Sequence, residues 1–160
     1  MAKIKLKNLS VNVFGGAAQY GNQSTYHGTI ITDASGNVKN NVSSTAATIG
    51  IGDEVQMAYL PAGLRLDDAL LVVSVGMTAT TTGSLGFKYV DGVDSTAVPE
   101  DAAYFGAGLA LAAAARVRAT GAKAPVVLPK DAYLTLTTAV AANVKASQVD
   151  AIVFGERVAS

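Results

Sequence analysis

The chain has 160 residues, with 12 basic and 12 acidic side chains, one His and no Cys. That length fits one domain with a sizeable core. The lack of Cys excludes a disulfide framework, a thiol nucleophile and a Cys zinc site, and the lack of a basic excess argues against a nucleic-acid binder. Charged residues make up only 15% of the chain, which is typical of a surface that a partner covers.

The N-terminal part alternates apolar and polar residues, which is typical of half-buried strands. Apolar residues between Ile4 and Val13 alternate there with Lys and Asn. We interpret residues 1–27 as an N-terminal segment and residues 28–160 as the body of the protein. The segment is either the first strand of the body or an extended arm that adds a strand to a neighbouring sheet. Both alternatives stay open.

Three strands are predicted between residues 25 and 78, separated by a turn and a loop. They cover residues 25–32, 54–60 and 64–78. Asp33–Asn37 has the composition of a turn, and residues 40–52 are predicted to form a surface loop with little to bury. The strand at residues 64–78 is so apolar that we expect it to be buried on both faces.

Four more strands and one short helix are predicted in the second half of the chain. The strands cover residues 84–90, 125–128, 132–140 and 149–158. Residues 99–101, Pro-Glu-Asp, favour the start of a helix that Gly106 and Gly108 would end. Residues 109–120 are compatible with a helix, because Ala is abundant, or with a strand, because Arg and Val alternate.

This pattern predicts an all-β fold, an antiparallel β-sandwich or barrel of eight or nine strands with at most one short helix. No apolar stretch approaches the 18 or so residues that span a bilayer, so we expect no membrane contact. Charge is uneven: residues 53–101 carry eight acidic against two basic side chains. Such a block either steers assembly or reflects loops that happen to be acidic.

The residues for a catalytic centre are missing from the sequence. His27 is the only His, and neither Ser74 nor Ser84 lies in a nucleophile elbow. Asp67 and Asp68 are adjacent, so on a strand they would point to opposite faces instead of forming a catalytic pair. We predict no catalytic residue, and we expect His27 to be a structural or surface residue.

Binding residues are equally scarce. An acidic group could offer oxygen ligands to Ca²⁺, but its spacing does not match an EF-hand loop, so turn and capping roles are favoured; it consists of Asp91, Asp94, Glu100 and Asp101. Tyr20 and Tyr26 flank a polar loop that could contact a sugar. We predict no metal-binding or cofactor-binding residue and no cofactor.

Several segments after residue 52 follow one another in a recognisable order. They are Asp53-Glu54-Val55, Tyr59-Leu60-Pro61-Ala62-Gly63, Leu66 to Val75, Gly86-Phe87-Lys88-Tyr89, Asp101 to Phe105, Leu128 to Thr137 and Val149 to Val158. In this order they resemble small virion proteins of tailed bacteriophages. The resemblance implies a jelly-roll-like sandwich on the outside of a capsid shell, a dimeric or trimeric decoration subunit, and no catalytic residues.

The leading hypothesis is therefore a non-enzymatic capsid cement or decoration protein. It would bind the outer surface of the major capsid protein shell, stabilise the joints between capsomers and associate with copies of itself. Its location would be the virion. The alternative is a carbohydrate- or receptor-binding module of a phage fibre or tail, which depends on Tyr20, Tyr26 and the polar loops.

Overall fold

The computed structural model describes residues 3–5, 23–42 and 47–158, and these form ten strands and no helix. The strands are β1 (Lys3–Lys5), β2 (Gln23–Thr32), β3 (Glu54–Leu60), β4 (Leu64–Val75), β5 (Thr82–Tyr89), β6 (Asp101–Ala110), β7 (Ala115–Arg118), β8 (Val126–Val127), β9 (Ala132–Ala139) and β10 (Ser147–Arg157). No helix in the described ranges is long and apolar enough to cross a membrane.

The strands form two sheets packed as a sandwich. Sheet 1 has the order β1-β3-β9-β5-β6, and sheet 2 has the order β2-β10-β4-β7, with β8 also pairing with β4. All pairings are antiparallel except that of β1, which runs parallel to β3. With β7 and β8 taken as one interrupted strand, β2 to β10 form the two four-stranded sheets of a jelly roll. The predicted all-β, jelly-roll-like sandwich is confirmed.

The core lies between the two sheets and is filled by alternate residues of the central strands. The inward side chains include Leu71, Val73, Leu85, Phe87, Leu134, Leu136, Val149 and Val153, each at most 2% exposed. Burying a side chain of this size contributes roughly 1.5–3 kcal/mol. The two sheets lie close together at Gly28 of β2, where a Cβ atom would overlap the backbone carbonyl of Met57. Only glycine fits at this position.

The predicted short helix at residues 99–108 is wrong. Residues 101–110 form β6, which pairs with β5 at the edge of sheet 1. Tyr104, Phe105 and Leu109 are buried there, and the strand places these large side chains in the core. Their packing outweighs the modest helix preference of the neighbouring alanines. Beyond β6, the ambiguous stretch contains β7 and no helix.

Two further expectations need correction. The strand predicted at residues 64–78 ends at Val75, and within the chain it is buried on one face only, because its outward residues Leu70 and Val72 are partly exposed. The loop at 40–52 was expected to bury little, yet Asn41 is 6% exposed and Ile49 is fully buried. Apolar content alone does not tell which face of a strand the same chain covers.

The N-terminal segment is described only at its two ends. Lys3–Lys5 lies along β3, with Lys3 opposite Glu54, and β2 begins at Gln23. The predicted alternation near Val13 falls outside the described residues. Both alternatives for residues 1–27, arm or first strand, therefore stay predictions.

Asn143 joins the loops at one end of the sandwich. This fully buried side chain donates from Nδ2 to Thr32 Oγ1 (3.0 Å), Ser147 Oγ (3.1 Å) and the carbonyl oxygen of Lys145 (3.0 Å). Its Oδ1 accepts from the backbone N–H of Thr78 (3.1 Å). Buried polar groups of this kind are costly to leave without partners. Asn143 therefore fixes β2, β10 and the β4–β5 loop against one another.

We expect Asn143→Ala to lower the free energy of unfolding by about 2–4 kcal/mol, because it leaves several buried donors and acceptors unpaired. Urea unfolding followed by circular dichroism measures this change. The exposed neighbour provides the control: Val144→Ala is expected to change the free energy by about 0.5 kcal/mol or less. Equal effects of the two substitutions would show that the Asn143 network is not what holds the loops.

Candidate interaction surfaces

The single His is a surface residue of sheet 2. His27 Nε2 lies 3.2 Å from Asp150 Oδ1, and the His27 side chain is 52% exposed. Thr29 Oγ1 donates to the same carboxylate oxygen at 2.6 Å. The hydroxyl therefore gives its hydrogen to Asp150 and not to the imidazole, which is the opposite of what a nucleophile and its base require. The group is a hydrogen-bonded surface cluster.

At the end of the sandwich opposite Asn143, acidic side chains fix the conformation of the β5–β6 loop. Asp94 Oδ1 accepts the backbone N–H groups of Ser95 and Glu100, each at 2.7 Å. Glu100 Oε1 accepts the N–H of Tyr89 at 2.7 Å. These contacts agree with the predicted turn role, but the predicted helix-cap role is wrong, because the residues that follow form strand β6. Among the described residues, no group of three or more His, Cys, Asp or Glu side chains could hold a metal ion.

Two lysines neutralise the acidic residues that flank this loop. Lys130 Nζ lies 2.8 Å from Asp91 Oδ2 and 4.6 Å from the centre of the Tyr89 ring. Lys123 Nζ lies 2.9 Å from Asp101 Oδ2. Because these carboxylates are paired, much of the negative charge in this part of the chain is balanced locally.

The remaining candidate residues, which are two adjacent aspartates and two tyrosines, do not form a site. Asp67 binds Arg65 Nε at 2.6 Å, whereas Asp68 binds Arg118 Nε at 2.7 Å, so the adjacent carboxylates take different partners. The expectation that they point to opposite faces is wrong, because a β-bulge at Asp67 leaves both side chains outside the core, between the buried Leu66 and Ala69. Tyr26 is 6% exposed and belongs to the core, so it cannot stack on a sugar. Tyr20 lies outside the described residues.

One cavity of about 380 Å³ opens between the β5–β6 loop and the edge of the sandwich. Its walls include Phe87, Val98, Tyr104 and Val126, and Lys123 also lines it. The volume falls within the range of small-molecule sites. Tyr104 and Asp101, however, are already bonded to the loop over residues 119–125, through Ala124 and Lys123. We therefore interpret this space as the gap beneath a covering loop.

Among the described residues, four of the five large aliphatic side chains that are more than half exposed lie at the opposite end of the sandwich. We call this surface the apolar end and define it by Val42 (58% exposed), Ile51 (64%), Val140 (63%) and Val144 (62%). The 50–53 turn holds Ile51 near Val140, because Gly52 N–H donates to Thr138 O at 2.8 Å. Val144 follows Asn143, whose N–H donates to Ile49 O at 2.8 Å.

The apolar end is also poor in charge. The loops after β4, β6 and β9 cover residues 76–81, 111–114 and 140–146, and together they contain one charged side chain, Lys145. The connection between β2 and β3, which carries Val42 and Ile51, adds Asp33, Lys39 and Asp53. Exposed, contiguous aliphatic surface with little charge marks a protein–protein contact.

A second apolar surface lies on the outward side of sheet 2. We call it the outer face and define it by Leu70 and Val72 of β4 and Ile152 and Phe154 of β10, all partly exposed. Leu70 and Ile152 are directly opposite each other in the β4–β10 pairing. In an antiparallel sheet with one solvated face these outward positions are usually polar. The sequence pattern detected this surface as excess apolar content but assigned it to the core.

The fold recurs in solved phage structures. A chain from the capsid of Ralstonia phage GP4 is 15% identical, with a TM-score of 0.64 over 99% of this chain and 100% of that chain. A chain from the cyanophage Pam1 capsid asymmetric unit is 15% identical, with a TM-score of 0.53 over 92% of this chain and 96% of that chain. No family model and no curated protein matches the chain. The likeness at this identity is one of fold.

The two lysine–carboxylate pairs make stability depend on acid pH. The Lys130 ammonium and the Val93 N–H lower the pKa of Asp91 below 3.8. Burial raises the pKa of Asp101, but the Lys123 ammonium and the Ala103 N–H together lower it by a larger amount, so its pKa is also below 3.8. Both folded-state pKa values lie below the unfolded ones. The pairs therefore stabilise the fold above about pH 4, and the effect is lost as the pH falls through the lowered pKa values.

We expect the free energy of unfolding to fall less steeply below pH 4 in the double variant Lys123→Met/Lys130→Met than in the parent chain. Without the ammonium groups, the two carboxyl pKa values move toward their unfolded values and fewer protons are taken up on unfolding. Denaturant titrations at pH 7 and at about pH 3 measure the slope. Arg116→Met, which alters neither carboxylate pair, serves as the control. An unchanged slope in the double variant would contradict this assignment.

Proposed function

We propose that this chain is a cement or decoration protein that binds the outer surface of the major capsid protein shell of a phage. The observation that carries the proposal is the fold shared with chains of two phage capsids over nearly their whole length. Because the alignments take in 100% and 96% of those chains, both are similar in length to this one. A small all-β subunit supplies contact area, and stabilising the joints between capsomers needs area more than chemistry.

The proposed role is non-enzymatic. The His27 cluster has its hydrogen bonds arranged against nucleophile activation, and the acidic loop residues are used in turns and ion pairs. These contacts give the His27 cluster and the acidic loop residues structural roles. They favour a binding protein over a hydrolase.

The apolar end is the surface that we assign to the shell. Its four aliphatic side chains are each more than half exposed, and covering one such side chain contributes on the order of 1 kcal/mol. One copy would therefore bind weakly, but the contact repeats around a shell. Self-association of the subunits as dimers or trimers would strengthen binding to the shell, because the second contact then forms at a high effective concentration.

The uneven charge fits this orientation. The end opposite the apolar end carries the β5–β6 loop with Asp94 and Glu100, in addition to Asp91, which is paired with Lys130. A subunit that docks through the apolar end keeps this charged end in solvent. Charge on the free end favours solubility of the decorated particle.

We expect Ile51→Asp/Val140→Asp to reduce binding to capsids that lack this protein by at least about tenfold, because burying two carboxylates opposes docking. Co-sedimentation of purified protein with such capsids measures retention. Val93→Asp is the matched control, because Val93 is 62% exposed but lies at the other end of the sandwich.

Capsids refilled with the parent chain are expected to resist heat or osmotic shock better than empty-site capsids. The Val93→Asp variant is expected to restore this resistance and the double variant is not. Failure of the parent chain to bind capsids at all would overturn the proposed function. Equal retention of the double variant would overturn the assignment of the apolar end.

A further inference from the structure

We propose that the outer face of sheet 2 is the surface through which two copies of this chain associate. The inference deepens the proposed function, because it rests on the self-association included there and names the surface that carries it. The starting point is the arrangement of outward side chains on the four strands, which the pairing registers fix.

The centre of the outer face is apolar. In one transverse row, Ile152 of β10 lies opposite Leu70 of β4, and in the next row Val72 lies opposite Asp150. Phe154 extends the apolar strip toward Asp68. All three aliphatic side chains and the phenyl ring are partly exposed. A cluster of this kind on the middle strands of a sheet is the centre of a contact surface, not an isolated exposed residue.

The two edges of the outer face carry complementary groups. On the β7 edge, Arg116 and Arg118 are exposed and lie opposite Val72 and Leu70, and Arg118 also pairs with Asp68. Toward the β2 side, Asp150 of β10 contributes a carboxylate that is 17% exposed and lies beside Thr29 and His27. The face therefore has a positive edge, an apolar centre and an acidic side, which is the polar-rim arrangement of protein interfaces.

These charges make the face complementary to itself. A second copy turned by 180° about an axis parallel to the strands brings its β7 edge over the β2 edge of the first copy. Arg116 belongs to the same transverse row as Asp150 and Thr29. This rotation therefore places Arg116 of one copy over Thr29 of the other, one strand away from Asp150, and the contact occurs twice. Rotation about an axis across the strands would instead place arginine over arginine.

The size of the face sets the expected strength. The face is four strands wide, with strands about 4.8 Å apart, and about seven residues long in the strand direction. These dimensions give a flat area of roughly 450 Å². A stable complex usually buries about 800 Å² on each partner. The association is therefore expected to be weak and concentration-dependent in solution, and to be strengthened where copies are held side by side on a shell.

Sedimentation of the purified full chain over a concentration series reaching about 1 mM tests the proposal. The parent chain is expected to self-associate reversibly. Leu70→Lys is expected to weaken association at least about tenfold, because it places a charge at the apolar centre. Ser84→Lys, on the outward side of β5 in sheet 1, is the matched control and is expected to leave association unchanged.

A second variant keeps the test valid if Leu70→Lys fails to fold. Arg116 is exposed, so Arg116→Glu is expected to preserve the fold while placing two acidic groups together in the dimer, with a similar loss of association. A parent chain that stays monomeric over the whole series would overturn the proposal. So would association that persists in both outer-face variants. Neither result tests capsid binding through the apolar end, which is measured separately by co-sedimentation with capsids.

Discussion

The arrangement of the loops at the apolar end depends on the hydrogen bonds of one buried amide. Asn143 satisfies donors and acceptors from β2, β10 and the β4–β5 loop. Because these polar groups form their hydrogen bonds inside the protein, the outward side chains of the same loops can be aliphatic. Val144, the next residue, is 62% exposed. A rigid polar centre thus supports an apolar surface, which reduces the conformational entropy lost when that surface binds a partner.

The two sheets differ in what they present to solvent. Outward positions of sheet 1 include Ser84, Lys88 and Thr137, and Lys88 Nζ lies 2.7 Å from the buried Glu54 carboxylate. Outward positions of the central strands of sheet 2 are mainly apolar, as at Leu70 and Ile152. The outward side of sheet 1 is therefore polar, although Gln56 and Thr135 at its centre are buried. The outward side of sheet 2 is mainly apolar and resembles half of a buried interface.

The sequence predicted the fold class and most strands, because alternation with a period of two is a local property that any sheet requires. It failed at β6, where Tyr104 and Phe105 pack into a core formed by residues far away in the chain. It could not find Asn143 either, since its partners Thr32 and Thr78 come from distant segments. The apolar end was missed for the same reason: its three valines and one isoleucine come from two connections that are far apart in the chain.

One error of the sequence interpretation is informative about assembly. The apolar density of β4 indicated burial on both faces, and within the chain only the inward face is covered. The residue types on each face of a strand reflect whether that face is covered, and the cover can come from a partner subunit as well as from the same chain. A half-exposed strip formed by Val72, Ile152 and Phe154 would cost solubility in an isolated monomer, and the chain has few charges to offset it. The proposed self-association through this strip would account for a strand that has the apolar character of an interior strand but lies at the surface of the single chain.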